Sequence, residues 1–102
     1  MFGFLKRLFG GSSTDYRALM EKGAVIVDVR TPGEYREGHI PGSKNIPLDQ
    51  IGSKAAELKK AGKPVITVCR SGSRSGMAMS KLRAAGLEVY NGGPWNSLVT
   101  KI

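Results

Sequence analysis

The chain has 102 residues, of which 40% are apolar and 24% charged, proportions typical of one small globular domain. Its formal net charge of +8 favours anionic ligands, but the basic residues are scattered and no nucleic-acid motif accompanies them, so we expect no nucleic-acid partner. A single cysteine excludes an internal disulfide and paired-cysteine sites, and a single histidine offers no zinc cluster, so we expect no metal and no cofactor.

The first twelve residues predict an amphipathic leader with a flexible joint. On a helical wheel its apolar residues gather opposite Lys6 and Arg7. The leader is too short to span a bilayer and lacks the charge order of a secretory signal. It either packs on the domain or a partner, which we favour, or makes weak membrane-surface contact through Met1–Gly10. Because Gly10–Ser13 is typical of a joint, we place the domain at residues 13–102.

After the leader, helical and strand patterns alternate. Short β-branched runs at Ala24–Val29 and Val65–Val68 predict strands buried on both faces, and weaker patterns at Lys44–Ile46 and Leu87–Tyr90 predict two more. The predicted helices and turns are Asp15–Lys22 capped by Ser13 or Thr14, a turn from Pro32, Leu48–Ile51, Lys54–Ala61 capped by Ser53, Gly76–Ala85, a turn at Asn91–Gly93, and Pro94–Val99. Such alternation predicts an α/β fold with a central parallel sheet of about four to five strands and helices on both faces.

The chemistry is concentrated in Cys69-Arg70-Ser71-Gly72-Ser73-Arg74-Ser75, which joins the Val65–Val68 strand to the next helix. A loop that opens into a helix turns backbone N–H groups inward, and small residues let it curl around an anion. Arg70 and Arg74 add full charges, so we expect the thiol to ionise readily and to act as a nucleophile. We therefore take Cys69 as the catalytic residue and the six residues after it as substrate-binding.

Two further charged residues, Asp28 and Arg30, lie at the carboxyl end of the first predicted strand. Sites in parallel sheets lie at the carboxyl ends of strands, and Cys69 ends the neighbouring run. We assign Asp28 and Arg30 a supporting role. An inert buried cysteine before a Ser/Gly turn is the alternative, but it gives the two loop arginines no purpose. A single exposed thiol also suits the reducing cytosol, so we expect a cytoplasmic protein.

Four stretches in this order resemble the rhodanese-like family, the single-domain sulfurtransferases. They are Asp28-Val29-Arg30 with Glu34-Tyr35, Gly38-His39-Ile40-Pro41-Gly42, the cysteine loop, and Gly92-Gly93 with Trp95. The resemblance implies a parallel sheet flanked by helices. It also implies that Cys69 takes a sulfane sulfur from an anionic donor such as thiosulfate, or from a persulfide, and holds it as a persulfide. Cyanide, a thiol or a sulfur-accepting protein would then receive the sulfur.

The same resemblance gives Asp28 and Arg30 the task of holding the architecture of the site. We treat His39 as structural, shaping the glycine- and proline-rich connection, and we expect a monomer. The chain departs from the family pattern in two places. The short strand that usually precedes the first helix is not evident, and Ser43 stands where members often carry alanine.

Two other functions stay open. A cysteine phosphatase needs cysteine, five residues and then an arginine that grips phosphate; here that place is Ser75, and Arg74 comes one residue early. A non-catalytic or sulfur-carrier rhodanese module that binds a protein partner is the other alternative. Inactive modules commonly lack the cysteine that this chain retains.

Overall fold

The fold, in a computed structural model that describes residues 14–102, is built on one parallel sheet. The amphipathic leader lies outside the described residues. The sheet has the strand order β2-β1-β3-β4. Its strands are β1 Val25–Asp28, β2 Lys44–Asn45, β3 Val65–Cys69 and β4 Val89–Pro94. The predicted α/β class with a central parallel sheet is confirmed.

Helices cover both faces of the sheet. They are α1 Tyr16–Glu21, α2 Pro32–Glu37, α3 Ile51–Ala61, α4 Ser73–Ala84 and α5 Trp95–Leu98, with 3-10 turns at Leu48–Gln50 and Val99–Lys101. Because successive strand residues point to opposite faces, Ile66 packs with Leu19 and Leu98, whereas Val65 packs with Leu58 and Leu82. The β-branched runs are therefore buried from both sides, as their unbroken apolar pattern predicts.

Two predicted caps are wrong. The N-cap of α1 is Asp15, whose carboxylate accepts a hydrogen bond from the Ala18 N–H at 3.0 Å, so neither Ser13 nor Thr14 has that role. Ser53 lies inside α3, which begins at Ile51, and its hydroxyl donates to the Gln50 carbonyl at 2.8 Å. In both cases the helix uses residues one turn away from those that the pattern favours.

The helix after the cysteine also begins earlier than predicted, at Ser73 instead of Gly76. The Gly76 N–H donates to the Gly72 carbonyl at 3.0 Å, which closes the first helical turn. Gly72 precedes that turn with φ +100°, a conformation that suits glycine. The cysteine loop is thus half helix, and its last residues have fixed positions.

The last strand continues through Asn91–Gly93, where a turn was predicted. Thr67 pairs with Asn91 while Val68 pairs with Gly93, so Gly92 is the extra residue of a β-bulge. A Cβ at Gly92 would lie 2.9 Å from the Ile66 side chain. Glycine is present because the backbone approaches the core closely, not because the chain turns.

No helix within residues 14–102 has both the length and the apolar character needed to cross a membrane.

Candidate active site

The Cys69 sulfur is enclosed by the loop that follows it. The Gly72 N–H donates to Sγ at 3.0 Å and the Ser75 N–H at 3.3 Å, while the Ser75 hydroxyl oxygen also lies 3.3 Å from Sγ. Cys69 is 0% exposed, so the expectation of an exposed thiol is wrong. The loop turns back over the sulfur because β3 ends in the interior and α4 begins only a few residues later.

These donors favour the thiolate. Burial by itself raises the pKa of Cys69. The Ser75 hydroxyl and the N–H groups of Ser75, Gly72 and Ser71 outweigh burial, and the pKa falls below the ordinary value of a thiol. The cradle that the small residues of the loop predicted is therefore built around the sulfur atom itself.

The two loop arginines occupy different environments. Arg74 donates from Nη1 and Nη2 to the two carboxylate oxygens of Glu34, at 2.7 and 3.0 Å. This hydrogen bonding is the main reason why the pKa of Glu34 falls to about 2, and it raises the pKa of Arg74. Arg70 is exposed, and among the described residues it forms no ion pair. Arg70 is thus the loop cation that is available to an incoming anion.

A cleft of about 300 Å³ lies beside these side chains. Arg70, Glu34 and Trp95 contribute to its walls, together with Arg30 from the end of β1. The cleft therefore presents charges of both signs and one aromatic surface close to the loop.

Asp28 and Arg30 form a buried ion pair, with exposures of 0% and 4%. Arg30 Nε donates to Oδ1 of Asp28 at 2.9 Å, and Nη2 donates to Oδ2 at 2.7 Å. The guanidinium also donates to the Gly38 and Glu34 carbonyls and lies 4.8 Å from the Trp95 ring centroid. The pair joins β1 to α2, to the connection after α2, and to α5, which is the geometry that a supporting role requires.

His39 lies away from the sulfur network. Its Nδ1 is 2.7 Å from the Tyr35 carbonyl, and its ring stacks on the Tyr35 ring with centroids 3.7 Å apart. Ser43 donates its hydroxyl to the Ile40 carbonyl at 2.6 Å, which closes the same connection. These contacts match the structural role expected for His39.

Two residues in this network were not singled out from the sequence, namely Glu34 as the partner of Arg74, and Asn91. Asn91 Oδ1 accepts from the Ser75 hydroxyl at 2.7 Å and from the Gly93 N–H at 2.9 Å, and its Nδ2 donates to the Gly72 carbonyl at 3.2 Å. The only sequence signal for Asn91 is its place before Gly92-Gly93, which was interpreted as a turn. In the described part of the chain, no group of three or more His, Cys, Asp or Glu side chains could hold a metal ion.

Comparisons with known proteins agree with this geometry. Residues 12–93 match the model of the rhodanese-like domain. The chain is 42% identical to the uncharacterized protein YqhL of Bacillus subtilis over 76% of this chain and 60% of that protein. It is 37% identical to the thiosulfate sulfurtransferase GlpE of Pseudomonas fluorescens over 74% of this chain and 69% of that protein.

A solved structure, the human single-domain sulfurtransferase TSTD1, superposes with a TM-score of 0.69 at 26% identity, covering 91% of this chain and 99% of that one. The chain spans smaller shares of several other curated relatives, down to 14% of their length. Family membership and fold therefore have support from both sequence and structure.

Proposed function

The chain belongs to the rhodanese-like family of sulfurtransferases, and from that premise we propose that it transfers sulfane sulfur through a persulfide on Cys69. The donor is thiosulfate or another persulfide, and the acceptor is a thiophile such as cyanide, a small thiol or a sulfur-accepting protein. The observation that carries the proposal is the set of donors around Sγ, from the Gly72 N–H, the Ser75 N–H and the Ser75 hydroxyl. They stabilise negative charge on sulfur before and after each transfer.

With thiosulfate the reaction has two displacements. The Cys69 thiolate attacks the outer sulfur of thiosulfate, a sulfur–sulfur bond forms, and the bond to the sulfonate sulfur breaks as sulfite leaves with the electron pair. The acceptor then attacks the outer sulfur of the persulfide, and the electron pair of that bond returns to Cys69 as the thiolate. No net oxidant or reductant is needed.

The charged side chains have separate roles in this scheme. Arg70, exposed at the cleft, attracts the dianionic donor and stabilises the departing sulfite. Arg74 is already engaged by Glu34, so it orders the start of α4 more than it binds substrate. Asp28 and Arg30 hold the cleft wall without taking part in bond changes.

Intact-mass measurement tests the proposal directly, since the chain has one cysteine. After incubation with thiosulfate and removal of excess reagent, the protein should be heavier by one sulfur atom, and cyanide should remove that atom as thiocyanate. The Cys69→Ser variant, with nearly the same shape, should show neither change. An unmodified wild-type mass, or equal thiocyanate production by Cys69→Ser, would contradict the proposal.

The same experiment separates the alternatives. A protein that gains the sulfur but does not release it to cyanide or a thiol acts as a sulfur carrier, and one that gains none is a binding module. A phosphatase is disfavoured because Ser75 stands where phosphate binding needs arginine, and the nearby Arg74 is bound to Glu34. Aryl phosphate should therefore not be turned over.

A further inference from the structure

Asn91 reaches the cysteine loop because of the bulge in β4. The extra residue, Gly92, breaks the regular register directly after Asn91. A bulge next to an active site commonly redirects a side chain, and here the Asn91 amide lies against the loop. Gly76 leaves room for it, since a Cβ at that position would lie 3.2 Å from Asn91 Nδ2. The Tyr16 hydroxyl donates to the Asn91 carbonyl at 2.9 Å and fixes the backbone as well.

The orientation of this amide is set by its neighbours. The Gly93 N–H can only donate, so the atom that faces it at 2.9 Å must be Oδ1. The Gly72 carbonyl can only accept, so the atom that faces it at 3.2 Å must be Nδ2. A flipped amide would place two donors together and two acceptors together. Oδ1 is therefore an acceptor where it meets the Ser75 hydroxyl, 2.7 Å away.

Ser75 consequently has one proton and two acceptors for it. Its oxygen lies 2.7 Å from Asn91 Oδ1 and 3.3 Å from the Cys69 sulfur. While Cys69 is a thiol, its S–H donates to Ser75, and Ser75 donates to Asn91. When the thiol proton leaves to solvent, the Ser75 hydroxyl rotates and donates to the thiolate, while Asn91 keeps the Gly93 N–H.

We propose that Asn91 is a positioning residue for Cys69, which competes with the cysteine sulfur for the Ser75 proton and anchors the Gly72 carbonyl. Asn91 thereby favours the protonated cysteine, and the loop N–H groups favour the thiolate. The inference rests on the proposed function only in taking Cys69 as the reacting group. A titration without substrate tests it, so its failure and the failure of persulfide formation are separate results.

The test is the ultraviolet thiolate absorbance of the single cysteine, titrated in the full chain. Asn91→Ala removes the competing acceptor, so the pKa of Cys69 should fall by about 0.4 to 1 unit, the equivalent of one hydrogen bond. Asn91→Asp keeps both acceptor interactions and adds charge, so the pKa should rise by about one unit or more. Simple loosening of the loop would raise the pKa in both variants, because both lose donors to the sulfur.

The dependence on Ser75 completes the test. In a Ser75→Ala background, Asn91→Ala should leave the pKa unchanged, and Asn91→Asp should keep only the part of its effect that acts through space. The control is Asn45→Ala, which removes two hydrogen bonds to the Asp28 and Arg30 carbonyls and should lower stability without moving the pKa of Cys69. The surrounding charged groups are the same in every variant: Arg70, Arg74, Asp28, Arg30 and Glu34.

A pKa that rises or stays constant in Asn91→Ala overturns the proposal, and so does a fall that survives in the Ser75→Ala background. If Asn91→Ala does not unfold cooperatively, Asn91→Asp decides. Its upward shift must then shrink when Ser75 is absent, and an undiminished shift overturns the proposal.

Discussion

The ends of two neighbouring strands use polar groups in opposite ways. At the end of β1 every strong partner is supplied by the chain itself, since the Asp28 carboxylate and the Arg30 guanidinium neutralise each other in the interior. At the end of β3 backbone N–H groups converge on an ionisable sulfur whose charge can appear and disappear. Val68, which precedes Cys69, pairs with Asp28, so the two ends are adjacent in the sheet.

The difference shows which end is structural and which is reactive. A closed ion pair with further bonds to the Glu34 and Gly38 carbonyls has little left to offer a substrate. The sulfur is held by neutral donors, which stabilise a charge without cancelling it. The first end should therefore control stability, and the second should control chemistry.

The largest effect on stability is expected from Asp28→Ala. This change leaves the Arg30 guanidinium buried without its carboxylate, and removing one partner of a buried pair costs about 3–5 kcal/mol. Urea unfolding monitored by Trp95 fluorescence should report a loss of that size, with lower sulfur transfer as a consequence of a distorted cleft. The matched control is the exposed carboxylate Asp49, whose change to alanine should be nearly neutral. An unchanged midpoint for Asp28→Ala would show that the pair is not the structural element of this end.

Much of this contrast could be predicted from the sequence. The β-branched strands, their parallel arrangement and the donors around Cys69 all follow from local patterns and from the Gly/Ser composition of the loop. The Glu34–Arg74 and Ser75–Asn91 contacts join residues far apart in the chain, and no local pattern marks such pairs. The bulge at Gly92 was missed because consecutive glycines are typical of turns, and only the packing of Ile66 explains their place in a strand.

A medium effect is expected from Gly92→Ala. The new Cβ would lie 2.9 Å from the Ile66 side chain and 3.0 Å from the Thr67 carbonyl, where rigid neighbours must move. Overpacking of this kind costs about 1–3 kcal/mol. Because the bulge positions Asn91, sulfur transfer should also fall, which would extend control of the chemistry from β3 to β4.

Thermal unfolding and the thiosulfate–cyanide assay measure the two parts of that prediction. Gly52→Ala is the control, since a Cβ there meets nothing within 4 Å and its place in α3 favours alanine over glycine. A stable and fully active Gly92→Ala variant would show that the bulge does not hold the loop.

The smallest effect is expected at the ion pair that connects the two ends, Glu34 with Arg74. Both side chains are partly exposed, at 27% and 35%, so Arg74→Ala should cost at most about 1 kcal/mol and less in high salt. The pKa of Glu34 is lowered to about 2 in the folded chain from an ordinary 4.5, so the pair stabilises fully above about pH 4.5. Below that pH the unfolded chain takes up the proton first, and the contribution is lost as the pH falls through about 2. Urea unfolding of the wild type and Arg74→Ala at about pH 6 and about pH 3 should therefore show a stability difference that narrows in acid. Arg70→Ala, which removes a loop charge without an ion pair in the described residues, should show no such narrowing. A difference that is larger than a buried pair would give, or independent of pH, would mean that this connection belongs with the closed end of β1 and not with the open end of β3.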